Sequence, residues 1–206
     1  MNGPLARWVH RAAEASGIAA LVAHFHRHGR QEGEASRLGK MLYRARHSRA
    51  YPLAVALLAA VSAATGLYPY GPVIIAAVVF APERWRSSYL AACVGAALGG
   101  MVTALLVETL GLGLVDSVFP GARAHEFWER SAYWIEQHGP LALAAIAALP
   151  LPQMPALLVS ALGDLNPLAI GAALFAGKLV KYGAYILATR VVLAALHRVG
   201  EMVDPS

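Results

Sequence analysis

The segment AALPLPQMPALLVSALGD, Ala147–Asp164, is apolar enough for a membrane interior, yet Pro150, Pro152 and Pro155 fall within six residues near its front. Proline has no backbone N–H, and its ring collides with the carbonyl four residues earlier, so an unbroken helix would lose hydrogen bonds here. The segment reads instead as two short apolar arms joined at a break. Irregular backbone at membrane depth is tolerated only where protein covers it or where it lines a wet cavity. The stretch therefore predicts the tip of a re-entrant hairpin, with Pro150, Pro152 and Pro155 at the turn.

A second break lies upstream. Tyr51–Ala81 contains no Lys, Arg, Asp, Glu or His, and it is interrupted at Gly66-Leu-Tyr-Pro-Tyr-Gly-Pro72. Each arm has about ten to fifteen residues, half a bilayer at about 1.5 Å per residue. Pro69, Gly71 and Pro72 form the predicted tip. Two unbroken apolar runs, Ser87–Leu112 and Pro167–Leu196, are long enough to span, since about 20 residues suffice.

Composition agrees with a membrane location. Of 206 residues, 58% are hydrophobic and 14% charged, with mean hydropathy +0.52. Soluble domains carry about 25% charged residues, so this chain has too little charge to coat a water-facing surface. The single cysteine, Cys93, excludes an intramolecular disulfide and reads as a small buried residue.

Charge sets the orientation. Residues 1–49 hold nine Lys/Arg against three Glu, out of a net charge of +5. Such an excess stays cytoplasmic and favours anionic lipid headgroups; no nucleic-acid motif accompanies it, and no nucleic-acid partner is expected. The N-terminus lacks the clean apolar core of a signal peptide. Ile18–Phe25 reads as part of an amphipathic helix on the membrane surface. If Tyr51–Ala81 dips in and returns, Arg84 and Arg86 stay on the side of Arg44, Arg46 and Arg49. Ser87–Leu112 then crosses outward, and the acidic connection Gly113–His138, with Trp128 and Trp134, lies at the outer interface. Gly139–Gly163 dips in from outside, and Pro167–Leu196 returns Arg190 and Arg198 inward. The alternative is four ordinary transmembrane helices with proline kinks, which would put Arg84 and Arg86 outside.

The fold class expected is an all-α integral membrane protein: two re-entrant helical hairpins plus two long transmembrane helices in an inverted repeat, with amphipathic N-terminal helices. Residues 1–49 form the basic surface region, 50–198 the membrane domain and 199–206 a polar tail. Inverted repeats are common in secondary transporters, whose sites lie near the midplane between the repeats.

Three pieces of the chain resemble a known family. Gly95-Ala-Ala-Leu-Gly-Gly100 looks like a G-x-x-L-G-G element, Trp134-Ile-Glu-Gln-His-Gly139 leads into a proline-broken hairpin, and Gly177-Lys-Leu-Val-Lys-Tyr182 resembles a G-K-x-x-R-Y element. Together, over roughly residues 50–190, they resemble the DedA superfamily, also called the VTT or SNARE-associated Golgi protein family, and within it the small YqaA-like members. The resemblance implies a multi-pass protein of the bacterial inner membrane with two re-entrant hairpins and both termini cytoplasmic. It also implies transport or translocation of a lipid, with polyprenyl phosphate or phospholipid as the substrate class. The larger DedA pattern places an acid beside the first tip and arginines around the second. Here the first tip reads Tyr-Pro-Tyr-Gly-Pro, and Gln153 and Met154 stand at the second.

Lys178 is the leading site candidate. Counted from Pro167 it lies about 16 Å along its helix, near the midplane. A charged side chain there costs at least about 2.5–3.5 kcal/mol, so it needs a partner or a wet cavity, unless it snorkels out. Lys181 follows one turn on, and Tyr182 adds a hydroxyl; the pair of ammonium groups suits an anionic headgroup. Gln153 is placed to bond a substrate or the broken backbone. Glu108, about 31 Å along its helix from Ser87, and Glu83 are the candidates for proton or ion coupling, against a structural role at the interface. Asp164 and Asn166 are expected to cap the last helix. His24, His26 and His28 lack the acid or cysteine that would complete a metal set, and a solvated basic face is the simpler reading.

No G-x-S-x-G, H-E-x-x-H or Walker motif is present. No catalytic residue, cofactor or metal is expected. The function expected is a transporter or lipid translocase whose partners are membrane lipids and, in one arrangement, further copies of itself. The alternative is a membrane scaffold that maintains the envelope without transport.

Overall fold

The computed structural model describes residues 48–66, 70–119, 121–124 and 126–203, with backbone alone from 193. The expected N-terminal helices, the His24/His26/His28 cluster and Pro69 lie outside the described residues.

Among the described residues the chain is all-helical. It runs α1 (Tyr51–Thr65), α2 (Tyr70–Phe80), a 3-10 turn (Pro82–Arg84), α3 (Trp85–Val118), α4 (Phe127–His138), α5 (Pro140–Ala148), α6 (Gln153–Leu162) and α7 (Pro167–Val203). Two stretches, Pro82–Val118 and Pro167–Val192, are long and apolar enough to cross a membrane. At about 1.5 Å per residue, α1, α2, α5 and α6 each measure only about 13–23 Å.

Both expected breaks are present, and both are tighter than the sequence indicated. Gly66 ends α1 in the left-handed region, φ 65°, and returns its N–H to Ser62. α2 already begins at Tyr70, so Gly71 and Pro72 occupy its first turn rather than the break. The second break is confined to Leu149–Pro152, and Pro155 falls in the first turn of α6. A proline is tolerated at such positions because the first N–H groups of a helix have no intrahelical partner anyway.

The chain doubles back at the first break. The Tyr51 hydroxyl, at the start of α1, donates to the Ala77 carbonyl near the end of α2 at 2.8 Å. The Tyr70 hydroxyl donates to Val55 at 2.8 Å. The Arg84 guanidinium donates to the Ser48 carbonyl, joining the two ends of the unit.

The long helices α3 and α7 run antiparallel and share two cores. Ala92, Cys93 and Ala96 pack with Tyr182 and Ile186 at one end. Ala104, Val107, Ile170 and Leu174 pack at the other. The short helices fill this frame reciprocally: α1 packs chiefly on α3 and α5 on α7, whereas α2 packs on α7 and α6 on α3. Close approach rests on glycine. A Cβ on Gly95 would lie 2.1 Å from the Ala56 carbonyl oxygen, and one on Gly99 2.2 Å from that of Ala60. In the same way a Cβ on Gly177 would lie 2.5 Å from the Ala144 oxygen of α5.

α4 is a helix within the polar connection, as the sequence suggested. Phe127, Ser131 and Ile135 turn inward at four-residue spacing, and the helix packs on both α5 and α6. α3 extends beyond the expected Leu112, but Gly111 (φ 64°, ψ −156°) breaks it and offsets its last turns. Asn166 caps α7, its Oδ1 accepting from the Leu168 N–H at 2.8 Å. Asp164 does not share that role. It sits at φ 57° and ends α6, where the Leu165 N–H returns to the Ser160 carbonyl. α7 continues to Val203, through much of the segment expected as a polar tail.

Since Gly99 faces backbone while Gly113 faces open space, Gly99→Val is expected to cost about 1–3 kcal/mol by overpacking. Gly113→Ala should be near neutral. Thermal unfolding in detergent measures both.

Candidate functional site

The two breaks meet. A Cβ on Gly66 would stand 2.8 Å from the Met154 side chain, so the first break accepts the second only because Gly66 is glycine. Beside this contact lies a cavity of about 510 Å³, bounded by both breaks and by α7. Its walls include Ser62, Gly66, Tyr70, Gly71 and Pro72 from the first unit. Leu151, Pro152, Gln153 and Met154 come from the second, and Lys178, Lys181, Tyr182 and Tyr185 from α7.

Lys178 is 7% exposed. Its Nζ lies 5.2 Å from the centre of the Tyr182 ring, and that ring leans on Tyr70 with centres 5.3 Å apart. Among the described residues no carboxylate is within ion-pairing distance of Lys178. A cation over an aromatic face gains about 0.5–2 kcal/mol. That falls short of the about 2.5–3.5 kcal/mol that such a charge costs at the centre of a membrane helix. Lys178 is thus a buried cation whose contact among the described residues is the face of the Tyr182 ring.

Lys181 has a different task. Its Nζ donates to the Leu149 carbonyl at 2.8 Å, just past the end of α5. The last carbonyls of a helix lack intrahelical donors, and a cation there also complements the helix dipole. Thr103 acts similarly in the other half. Its hydroxyl is shared between the Ala64 carbonyl of α1 at 3.0 Å and Gly99 at 3.2 Å.

Gln153 opens α6 with its Oε1 buried and without a hydrogen-bond partner. An orphaned buried acceptor carries a desolvation cost of about 1–3 kcal/mol. Gln153 and Lys178 thus bring one unpartnered acceptor and one cation to the lining of one cavity.

Of the residues singled out in the sequence, Gln153, Lys178, Lys181 and Tyr182 are brought together here. Gly71, Pro72 and Pro152 from the expected tips join them. Pro150 and Pro155 are not among the lining residues. Glu108 is exposed on α3 and Glu83 is exposed in the 3-10 turn; neither lines the cavity. Among the described residues no cluster of three His, Cys, Asp or Glu forms a metal site. Gly66, Tyr70 and Met154 were placed at the breaks but not among the site candidates, and Tyr185 was not singled out. Tyr185 had a detectable signal, since it lies seven residues after Lys178 and three after Tyr182, on the same helix face.

No protein-family model, no curated protein and no solved structure matches the chain. The chemistry of the site therefore follows from its own residues.

Removing the Lys181 donor strands the Leu149 carbonyl. Lys181→Met is expected to destabilise the protein by about 0.5–1.5 kcal/mol, with Lys181→Arg restoring most of the loss. Melting temperatures of the three proteins in one detergent decide this.

Proposed function

We propose that the chain is a multi-pass membrane protein of DedA/YqaA type that moves an anionic, lipid-borne substrate, with Lys178 holding the anion. The observation that carries the reading is the cavity beside the two breaks, lined by the buried Lys178 and by Gln153, whose amide oxygen is buried without a partner. The substrate classes that fit are polyprenyl phosphate and phospholipid headgroups. Gln153 and the Tyr182 hydroxyl supply polar contacts, and Lys181 supplies a second positive charge while it braces α5.

Membrane insertion is supported by an inverted size pattern. On α1 the large side chains Leu53, Leu57 and Val61 face outward, while the inward face runs Tyr51, Val55, Ala59 and Ala63, small towards the break. On α3, Leu90, Val94, Leu98 and Leu105 face outward, and Ala92, Ala96 and Gly99 inward. Water opposes such an arrangement, whereas lipid accepts large apolar side chains and leaves small residues to bring helices close.

Re-entry of the short units is supported by their length and closure. No arm reaches the roughly 30 Å of a hydrocarbon core, and the Arg84–Ser48 bond returns the first unit to its starting level. The reciprocal packing of α1 on α3, α5 on α7, α2 on α7 and α6 on α3 supports an inverted repeat. Arginines at the α1–α3 end and acids around α4 favour an inner-membrane protein with its N-terminus cytoplasmic. The C-terminus follows to the same side.

Two experiments test this. In a Cys93→Ser background, cysteines at Ser48 and Ser87 should resist an impermeant thiol reagent in intact cells, while one at Gln137 is labelled; all three positions are exposed. Labelling of only one of Ser48 and Ser87 means that Tyr51–Ala81 simply crosses. Separately, Lys178→Ala should abolish headgroup translocation in proteoliposomes while leaving insertion intact. Activity equal to wild type would remove Lys178 from the site and favour a scaffold.

A further inference from the structure

Away from the cavity, two guanidiniums converge on one indole. Trp85 is the first residue of α3, and the Arg86 Cζ lies 5.3 Å from the centre of its ring system. The Arg190 Cζ, arriving from α7, lies 4.7 Å from the same indole. Both distances are within the reach of a cation–π contact. Arg84, beside them, is committed to the Ser48 carbonyl. Among the described residues no carboxylate pairs with Arg86 or Arg190. Both arginine side chains are exposed, and Trp85 is half-buried.

Two guanidiniums beside one indole give this spot a local excess of positive charge, which an anion is drawn to. A guanidinium whose face meets an indole keeps its N–H edge free, and that edge matches the oxygens of a phosphate in a bidentate fork. Depth selects the source of the phosphate. Arg190 lies about 34 Å along α7 from Pro167, at the far boundary of a bilayer, where tryptophan and headgroups meet.

We propose that Trp85, Arg86 and Arg190 form a headgroup clamp for an anionic phospholipid in the leaflet that faces the N-terminus. The clamp rests on the membrane placement proposed above and is separate from the Lys178 cavity. An anionic lipid seated there ties the first turn of α3 to α7 by neutralising both arginines at once. A zwitterionic choline lipid brings a positive group to an already cationic site and binds less well.

The test uses the full chain in lipid nanodiscs of phosphatidylcholine, with increasing fractions of phosphatidylglycerol. The wild-type melting temperature should rise with phosphatidylglycerol and saturate. Native mass spectrometry of the wild type should show phosphatidylglycerol retained in preference to phosphatidylcholine. The double variant Arg86→Gln/Arg190→Gln should need at least about tenfold more phosphatidylglycerol for the same shift, as expected from losing charge-assisted bonds. The same charge change at the opposite end, Arg123→Gln/Arg130→Gln, should leave the response unchanged. An equal response of the two double variants overturns the clamp, as does absence of lipid preference in the wild type, a readout that needs no variant to fold. A shift of equal size with millimolar inorganic phosphate in phosphatidylcholine discs overturns the lipid as occupant. Failure of the chain to incorporate into discs overturns the membrane placement and the clamp together, whereas incorporation without preference removes the clamp alone.

Discussion

Where a helix stops, its last carbonyls take donors from outside it, because the helix itself no longer supplies any. This chain stops two short helices beside its long ones, at Gly66 and at Leu149, both exposed positions, and a long helix reaches each of them. Thr103 reaches from α3 to Ala64, and Lys181 reaches from α7 to Leu149. Neither bond forms unless a long helix passes within side-chain reach of the break. That proximity in turn depends on glycine at the crossing, Gly99 against α1 and Gly177 against α5. Close packing, satisfied carbonyls and a cavity beside the breaks are consequences of one requirement.

Reciprocal packing gives this frame its stiffness. Each long helix carries the first short helix of its own half and the second short helix of the other, so α3 and α7 cannot separate without exposing both units. At the crossing of the long helices, a Cβ on Gly100 would lie 2.1 Å from Leu174. The Tyr89 hydroxyl also donates to the Leu179 carbonyl at 2.6 Å.

Much of this was legible in the sequence because membrane segments leave a coarse signal. A run without charge and proline clusters marked the breaks, and long apolar runs with few charges marked both long helices. Lysines at mid-helix stood out because such residues are costly there. Break boundaries were less legible, since a proline in the first turn of a helix and a proline in a break look alike; Pro72 and Pro155 are of the first kind. The glycine of the Gly163-Asp164 pair was the natural choice for the left-handed position, yet Gly163 has φ −88° and Asp164 takes the strain. The partner of Lys181 was not legible at all, because it depends on where α5 ends in space, 32 positions away.

The two halves share a spacing that explains why the site is one-sided. In α3, Gly99 touches α1 and Thr103, four residues on, donates to its last turn. In α7, Gly177 touches α5 and Lys181, four residues on, donates to its end. The residue after each contact glycine is then the informative difference. In α3 it is Gly100, filled over by Leu174 and Leu157, so that half is sealed. In α7 it is Lys178, whose long side chain and charge prevent equivalent packing and face the cavity instead. The neutral hydroxyl of Thr103 and the cation of Lys181 perform the same structural task, but only the latter adds positive potential beside Lys178. One architectural pattern, used twice with different side chains, yields a half closed by leucines and a half that brings two lysines to the cavity.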